Sequence, residues 1–81
     1  MEIKVKLYGT FRDRCPKGTP LGEAFPLSVK ENATIIDVLN TLKISEEEAR
    51  VVIVNSNIIR EFSFQLNPSD LFVCFPPVGG G

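Results

Sequence analysis

Few residues in this chain have side chains suited to chemistry of their own. There is no histidine in the 81 residues, which removes the commonest general base and the commonest metal ligand. The two cysteines, Cys15 and Cys74, are far apart and lack C-x-x-C spacing. A structural zinc site normally takes four Cys or His ligands, so no metal site is expected. Cys74 sits inside an apolar run and reads as a small core residue, while Cys15, in "RDRCPKG", reads as an ordinary loop thiol among basic neighbours. No glycine-rich loop opens a helix to cradle a phosphate, so no bound cofactor and no independent enzymatic activity are expected.

What remains is a carboxylate. The sequence closes on "LFVCFPPVGGG", residues 71–81. Pro76-Pro77 fixes two φ angles and removes two backbone donors, which ends a strand and favours an extended exit. Beyond them, Val78, Gly79, Gly80 and Gly81 could reach at most about 13–14 Å from the body when stretched. Glycine has no Cβ, so such a tail can thread a channel too narrow for other residues. At its tip the α-carboxylate of Gly81 is the one functional group. A rigid body, a stiff proline spacer and a thin lead to one carboxylate describe a group carried into another protein's active site.

That group needs a body to hold it. Eighty-one residues make one small domain, expected to bury only about 60–65% of its unfolded surface. The boundaries read as a folded domain over 1–78 and a flexible glycine tail over 79–81. Ile3, Val5 and Leu7 alternate with Glu2, Lys4 and Lys6, the period of a half-buried strand. A breaker-rich connection over 9–22 follows. Residues 23–29 form a second strand with Phe25, Leu27 and Val29 on one face, and Pro26 assigns it to a sheet edge. In "TIIDVLNTLKI" the period becomes helical: Ile35, Val38, Leu39 and Leu42 share a face, and Thr34 with Asp37 approximates a capping box. A second, shorter helix is expected in "SEEEAR", capped by Ser45. Val51–Val54 reads as a buried strand, Ile58 and Ile59 as a short return, residues 67–70 as a turn and Leu71–Phe75 as the last strand. One main helix between two sets of strands predicts an α+β, ubiquitin-like β-grasp: a mixed sheet on the helix, with the last strand parallel to the first.

All five residues of the last strand are apolar, whereas a sheet covered on one side should alternate. A partner is therefore expected on its second face, with Phe75 and Val73 as the docking surface. Net charge is −1, from nine basic and ten acidic residues spread along the chain, so neither nucleic acid nor an anionic membrane is an expected partner. No apolar run approaches the ~20 residues of a transmembrane helix, and "MEIKVKLYG" lacks the apolar stretch of a signal peptide. A cytoplasmic protein is expected.

The segment "FPPVGGG" resembles the C-terminal signature of the small, sulfur-carrying subunit of molybdopterin synthase, in the MoaD/ThiS ubiquitin-like family. That signature reads Phe-Pro-Pro-Val, one variable residue, then Gly-Gly. Phe75, Pro76, Pro77 and Val78 match, Gly79 fills the variable place, and Gly80-Gly81 is the terminal pair. The resemblance extends over "IKVKLYGTFRDR", "TIIDVLNTL" and "VVIVN". The family's usual acidic-Gly-Asp turn is replaced by Asn67-Pro68-Ser69-Asp70.

The resemblance implies a two-stage cycle. An adenylating enzyme similar to those that charge ubiquitin would use ATP to activate Gly81, with Gly80 as its steric companion, and a sulfur donor would convert it to a thiocarboxylate. The large synthase subunit would bind Val73, Phe75, Pro76, Pro77, Val78 and Gly79 and pass the sulfur to a pyranopterin precursor of the molybdenum or tungsten cofactor. Its own residues would supply the acid–base groups. Three glycines in a row also resemble the thiamine-pathway carrier, although Phe-Pro-Pro fits the molybdopterin type. Alternatives are another sulfur carrier, a ubiquitin-like protein modifier, or a non-covalent interaction module that needs Phe75 and Val73 but no tail.

Overall fold

The computed structural model describes residues 1–77. The expected boundary between body and tail, with the assignments to Val78, Gly79, Gly80 and Gly81, lies outside the described residues. Strand β1 (Glu2–Leu7) buries Ile3, Val5 and Leu7 and turns Glu2, Lys4 and Lys6 to the other side. A 3-10 helix, Gly9–Arg14, follows directly and inserts Phe11 into the core. The breaker-rich connection thus contains an ordered turn with an anchor of its own.

Strand β2 (Phe25–Ser28) pairs antiparallel with β1 and stands at the sheet edge, where the missing N–H of Pro26 costs no ladder bond. Helix α1 (Ile35–Leu42) buries Ile35, Val38, Leu39 and Leu42. Its capping box is complete: Asp37 N–H donates to Thr34 Oγ1 at 3.3 Å, and Thr34 N–H donates to Asp37 Oδ2 at 2.9 Å. These bonds to the ionised carboxylate lower the Asp37 pKa, with the Lys30 ammonium at 3.7 Å adding to the effect. Lys43 ends the helix in the left-handed conformation.

Strand β3 (Val51–Val54) runs antiparallel to β5 (Leu71–Phe75) and to the two-residue β4 (Asn57–Ile58). The sheet order is β2-β1-β5-β3-β4, with β1 and β5 parallel at its centre. This mixed five-stranded sheet, covered on one side by α1, is the expected ubiquitin-like β-grasp.

Two expectations need correction. Residues 45–49 form a single turn, not a second helix. Ser45 and Glu48 exchange both capping bonds at 3.1 Å, and Ala49 N–H reaches Ser45 O, but Arg50 N–H turns back to Glu48 O and β3 begins one residue later. Strand β3 is also not fully buried: Val52 and Val54 enter the core while Val51 is 36% exposed, because the sheet is covered on one side only.

Candidate functional site

Pairing decides which side of β5 meets the core. Phe72 and Cys74 lie opposite Val54 and Val52 of β3 and beside Val5 and Leu7 of β1, all in one core cluster with Ile35, Val38, Leu39 and Leu42 of α1. Leu71, Val73 and Phe75 therefore face the other way, and each stays partly covered. Val73 lies opposite Ile53, and Phe75 opposite Val51. Ile53 in turn pairs with Ile58, which is 57% exposed. Lys4 and Lys6 border this strip, in register with Leu71 and Val73. The two residues expected to dock a partner thus lie together on an open apolar face with a basic margin.

The parallel register carries the end of β1 alongside the end of β5. Tyr8 N–H donates to Cys74 O at 3.4 Å, and the Tyr8 ring stacks on Phe75 with centroids 4.7 Å apart and planes 8° from parallel. Gly9 follows at φ +60°, and a Cβ on it would lie 2.6 Å from Pro76 Cγ. The last described residues, Phe75-Pro76-Pro77, therefore leave the body against Tyr8 and Gly9. Residue-by-residue reading missed both. The available signal was the topology: once β5 lies parallel to β1 with Leu7 beside Cys74, the next residue on each strand is Tyr8 and Phe75.

The entry of β5 is also secured. Asp70, buried at 7% exposure, accepts from Asn67 N–H and from Asn55 Nδ2, both at 2.8 Å. Asn55 Oδ1 accepts from Leu71 N–H at 2.9 Å, so the β3–β4 turn holds the strand that carries the tail. Asp70, which the sequence singled out only as the retained part of a turn, satisfies two donors there.

Neither thiol joins this arrangement. Cys74 points into the core, where burial pushes its pKa up to about 12 and leaves it protonated at neutral pH. Cys15 is half-buried after the 3-10 helix, with Arg12 Nη1 at 3.8 Å from its sulfur. It borders a groove of about 550 Å³ between β2 and the end of α1, lined also by Arg14, Leu27 and Lys43. Among the described residues no three His, Cys, Asp or Glu side chains gather as metal ligands, and no helix is long and apolar enough to cross a membrane.

Comparison with known proteins brings the chain's relatives into view. Residues 18–81 match the model of the ThiS family. No curated protein sequence matches significantly. Among solved structures, the small archaeal modifier protein 1 of Methanosarcina acetivorans is 29% identical, with a TM-score of 0.64 over 99% of this chain and 96% of that one. The HVO 2177 protein of Haloferax volcanii is 27% identical, with a TM-score of 0.74 over 100% of this chain and 87% of that one. A chain from the complex of subunits 1 and 2 of the molybdopterin-converting factor of Helicobacter pylori shares the fold, at 22% identity and a TM-score of 0.59 over 100% of both chains.

Proposed function

This chain belongs to the ThiS family, and from that premise we propose that it is a sulfur carrier working through a thiocarboxylate on Gly81. The observation that carries the reading is the exit of the last strand. Phe75-Pro76-Pro77 leaves the sheet beside an open apolar face, in direct continuity with Val78-Gly79-Gly80-Gly81. A free carboxylate is a poor acyl electrophile. An adenylating enzyme would therefore use ATP, with a Gly81 oxygen attacking the α-phosphorus and pyrophosphate leaving. Hydrosulfide then attacks the carbonyl carbon, the C–O bond to AMP breaks, and loss of a proton leaves the thiocarboxylate.

The acceptor we propose is a pyranopterin precursor held by a large synthase subunit that docks on Val73 and Phe75. The Phe-Pro-Pro-Val sequence supports this choice, as does the shared fold with the molybdopterin-converting factor chain. The test is reconstitution: thiocarboxylated protein, a molybdopterin synthase large subunit and the precursor should together yield the dithiolene. Intact thiocarboxylate after complex formation would reject this acceptor.

A second reading has its own support in the 29% identity to a small archaeal modifier protein. There the activated Gly81 would be attacked by a protein amine, giving an amide-linked conjugate. Conjugates that survive reducing denaturation and vanish when Gly81 is removed would favour it.

A further inference from the structure

We propose that Tyr8 and Gly9 form a platform that aims the chain as it leaves β5, with Gly9 as a positioning residue for the activation of Gly81. The inference rests on the carrier reading, because an exit direction matters only when the tail must enter another protein's active site.

Three glycines among the described residues have positive φ: Gly9, Gly18 and Gly22. Around Gly18 and Gly22 a Cβ would meet nothing within 4 Å. At Gly9 it would lie 2.6 Å from Pro76 Cγ, closer than carbon atoms can approach without one moving, and 3.2 Å from Pro76 Cδ, a tight contact. The atom that must yield is not the end of a flexible side chain. Ring pucker lets Cγ move alone, but Cδ, also tight at 3.2 Å, is bonded to the backbone nitrogen, so relief there shifts the main chain, and Pro77 passes the displacement on. The residue before it cannot absorb the change, because Phe75 is stacked under Tyr8 at 4.7 Å and paired with Val51.

A tilt at Pro76 changes the direction in which Pro77 hands on the chain, and with it where that chain sets out relative to the docked body. An error of about 1 Å in placing a reacting group can cost roughly 10²-fold in rate. The open face with Val73 is untouched by such a tilt. A side chain at position 9 therefore leaves the Val73 face in place while changing the path of the chain that leads to the carboxylate. Its signature is a loss in kcat rather than a rise in KM.

The test is ATP–pyrophosphate exchange by an adenylating enzyme of the ThiS-activating type, with the full-length chain as varied substrate. Gly9→Ala should lower kcat by about tenfold or more with KM little changed. Gly9→Asn should behave alike: asparagine tolerates the left-handed backbone but carries the same Cβ. Gly22→Ala imposes comparable backbone strain away from the tail and should support exchange like the wild type. In a Pro76→Ala background, which lacks both Cγ and Cδ, adding Gly9→Ala should cost little more. Equal losses from Gly9→Ala and Gly22→Ala would overturn the inference, as would an equal loss from Gly9→Ala with or without the Pro76 ring. Wild-type protein that supports no exchange would overturn the carrier reading and this inference together. A charged wild type with an indifferent Gly9→Ala would overturn the inference alone.

Discussion

The rings of Tyr8 and Phe75 lie nearly parallel, 8° apart with centroids at 4.7 Å, and join the end of the first strand to the end of the last. The contact exists because β1 and β5 are parallel neighbours, so two residues at opposite ends of the sequence finish side by side. It anchors the point from which residues 78–81 continue. Such a pair contributes about 0.5–1.5 kcal/mol beyond area burial. A double-mutant cycle with Tyr8→Ala and Phe75→Ala should return a coupling energy in that range, read from urea unfolding. Additive losses would mean that the stacking contributes nothing of its own.

The open face of β5 makes a separate prediction. Val73 sits on it in register with Lys6 and opposite Ile53, away from the core. Val73→Asp should leave cooperative thermal unfolding within a few degrees of the wild type, yet weaken binding to the large subunit by about 2 kcal/mol or more, as for a central interface residue. Isothermal titration measures this directly. Unchanged affinity would remove this face from the interface.

The capping box predicts a pH dependence with a definite sign. Thr34→Ala should cost about 0.5–2 kcal/mol in urea unfolding. Asp37 accepts bonds from Thr34 that hold its pKa below the ordinary 3.8. Its contribution is therefore present above the unfolded value and is lost as pH falls through the folded one. Asp37→Asn should flatten that part of the acid limb. An unchanged acid limb would show that other carboxylates dominate it.

The thiols should separate cleanly. Cys74 is fully buried with a pKa pushed up to about 12, whereas Cys15 is only half-buried. A thiol reagent at mildly alkaline pH should label Cys15 in the native protein and both cysteines after denaturation. The raised pKa also fixes a sign: above the unfolded thiol value the unfolded chain ionises first, so stability falls as pH rises toward the folded value. Rapid native labelling of Cys74 would contradict its place in the core.

Much of this fold was legible because its signals are local. Thr34 and Asp37 stand three residues apart, and Pro26 carries its own reason for an edge. The second, partly covered face of β5, with Val73 and Phe75, followed from an apolar run that one covering layer could not bury. What escaped was set by distant partners. Phe11 stands between Thr10 and Arg12 with no periodic apolar neighbours, and only the finished core gives it a place. The turn at Ser45 has the capping residues of a helix, but β3 is drawn into the sheet at Val51 before a second turn can form. Tyr8 and Gly9 acquire their relation to Phe75 and Pro76 through the parallel register alone.

The central claim is that Gly81 carries the sulfur. Its most direct test is the intact mass of the protein before and after incubation with the adenylating enzyme, ATP and a sulfide source, followed by fragmentation. A gain equal to one oxygen replaced by sulfur is expected, confined to the Gly81 carboxyl and absent when Gly81 is removed. An unchanged mass under conditions that charge a known ThiS-family carrier would contradict it.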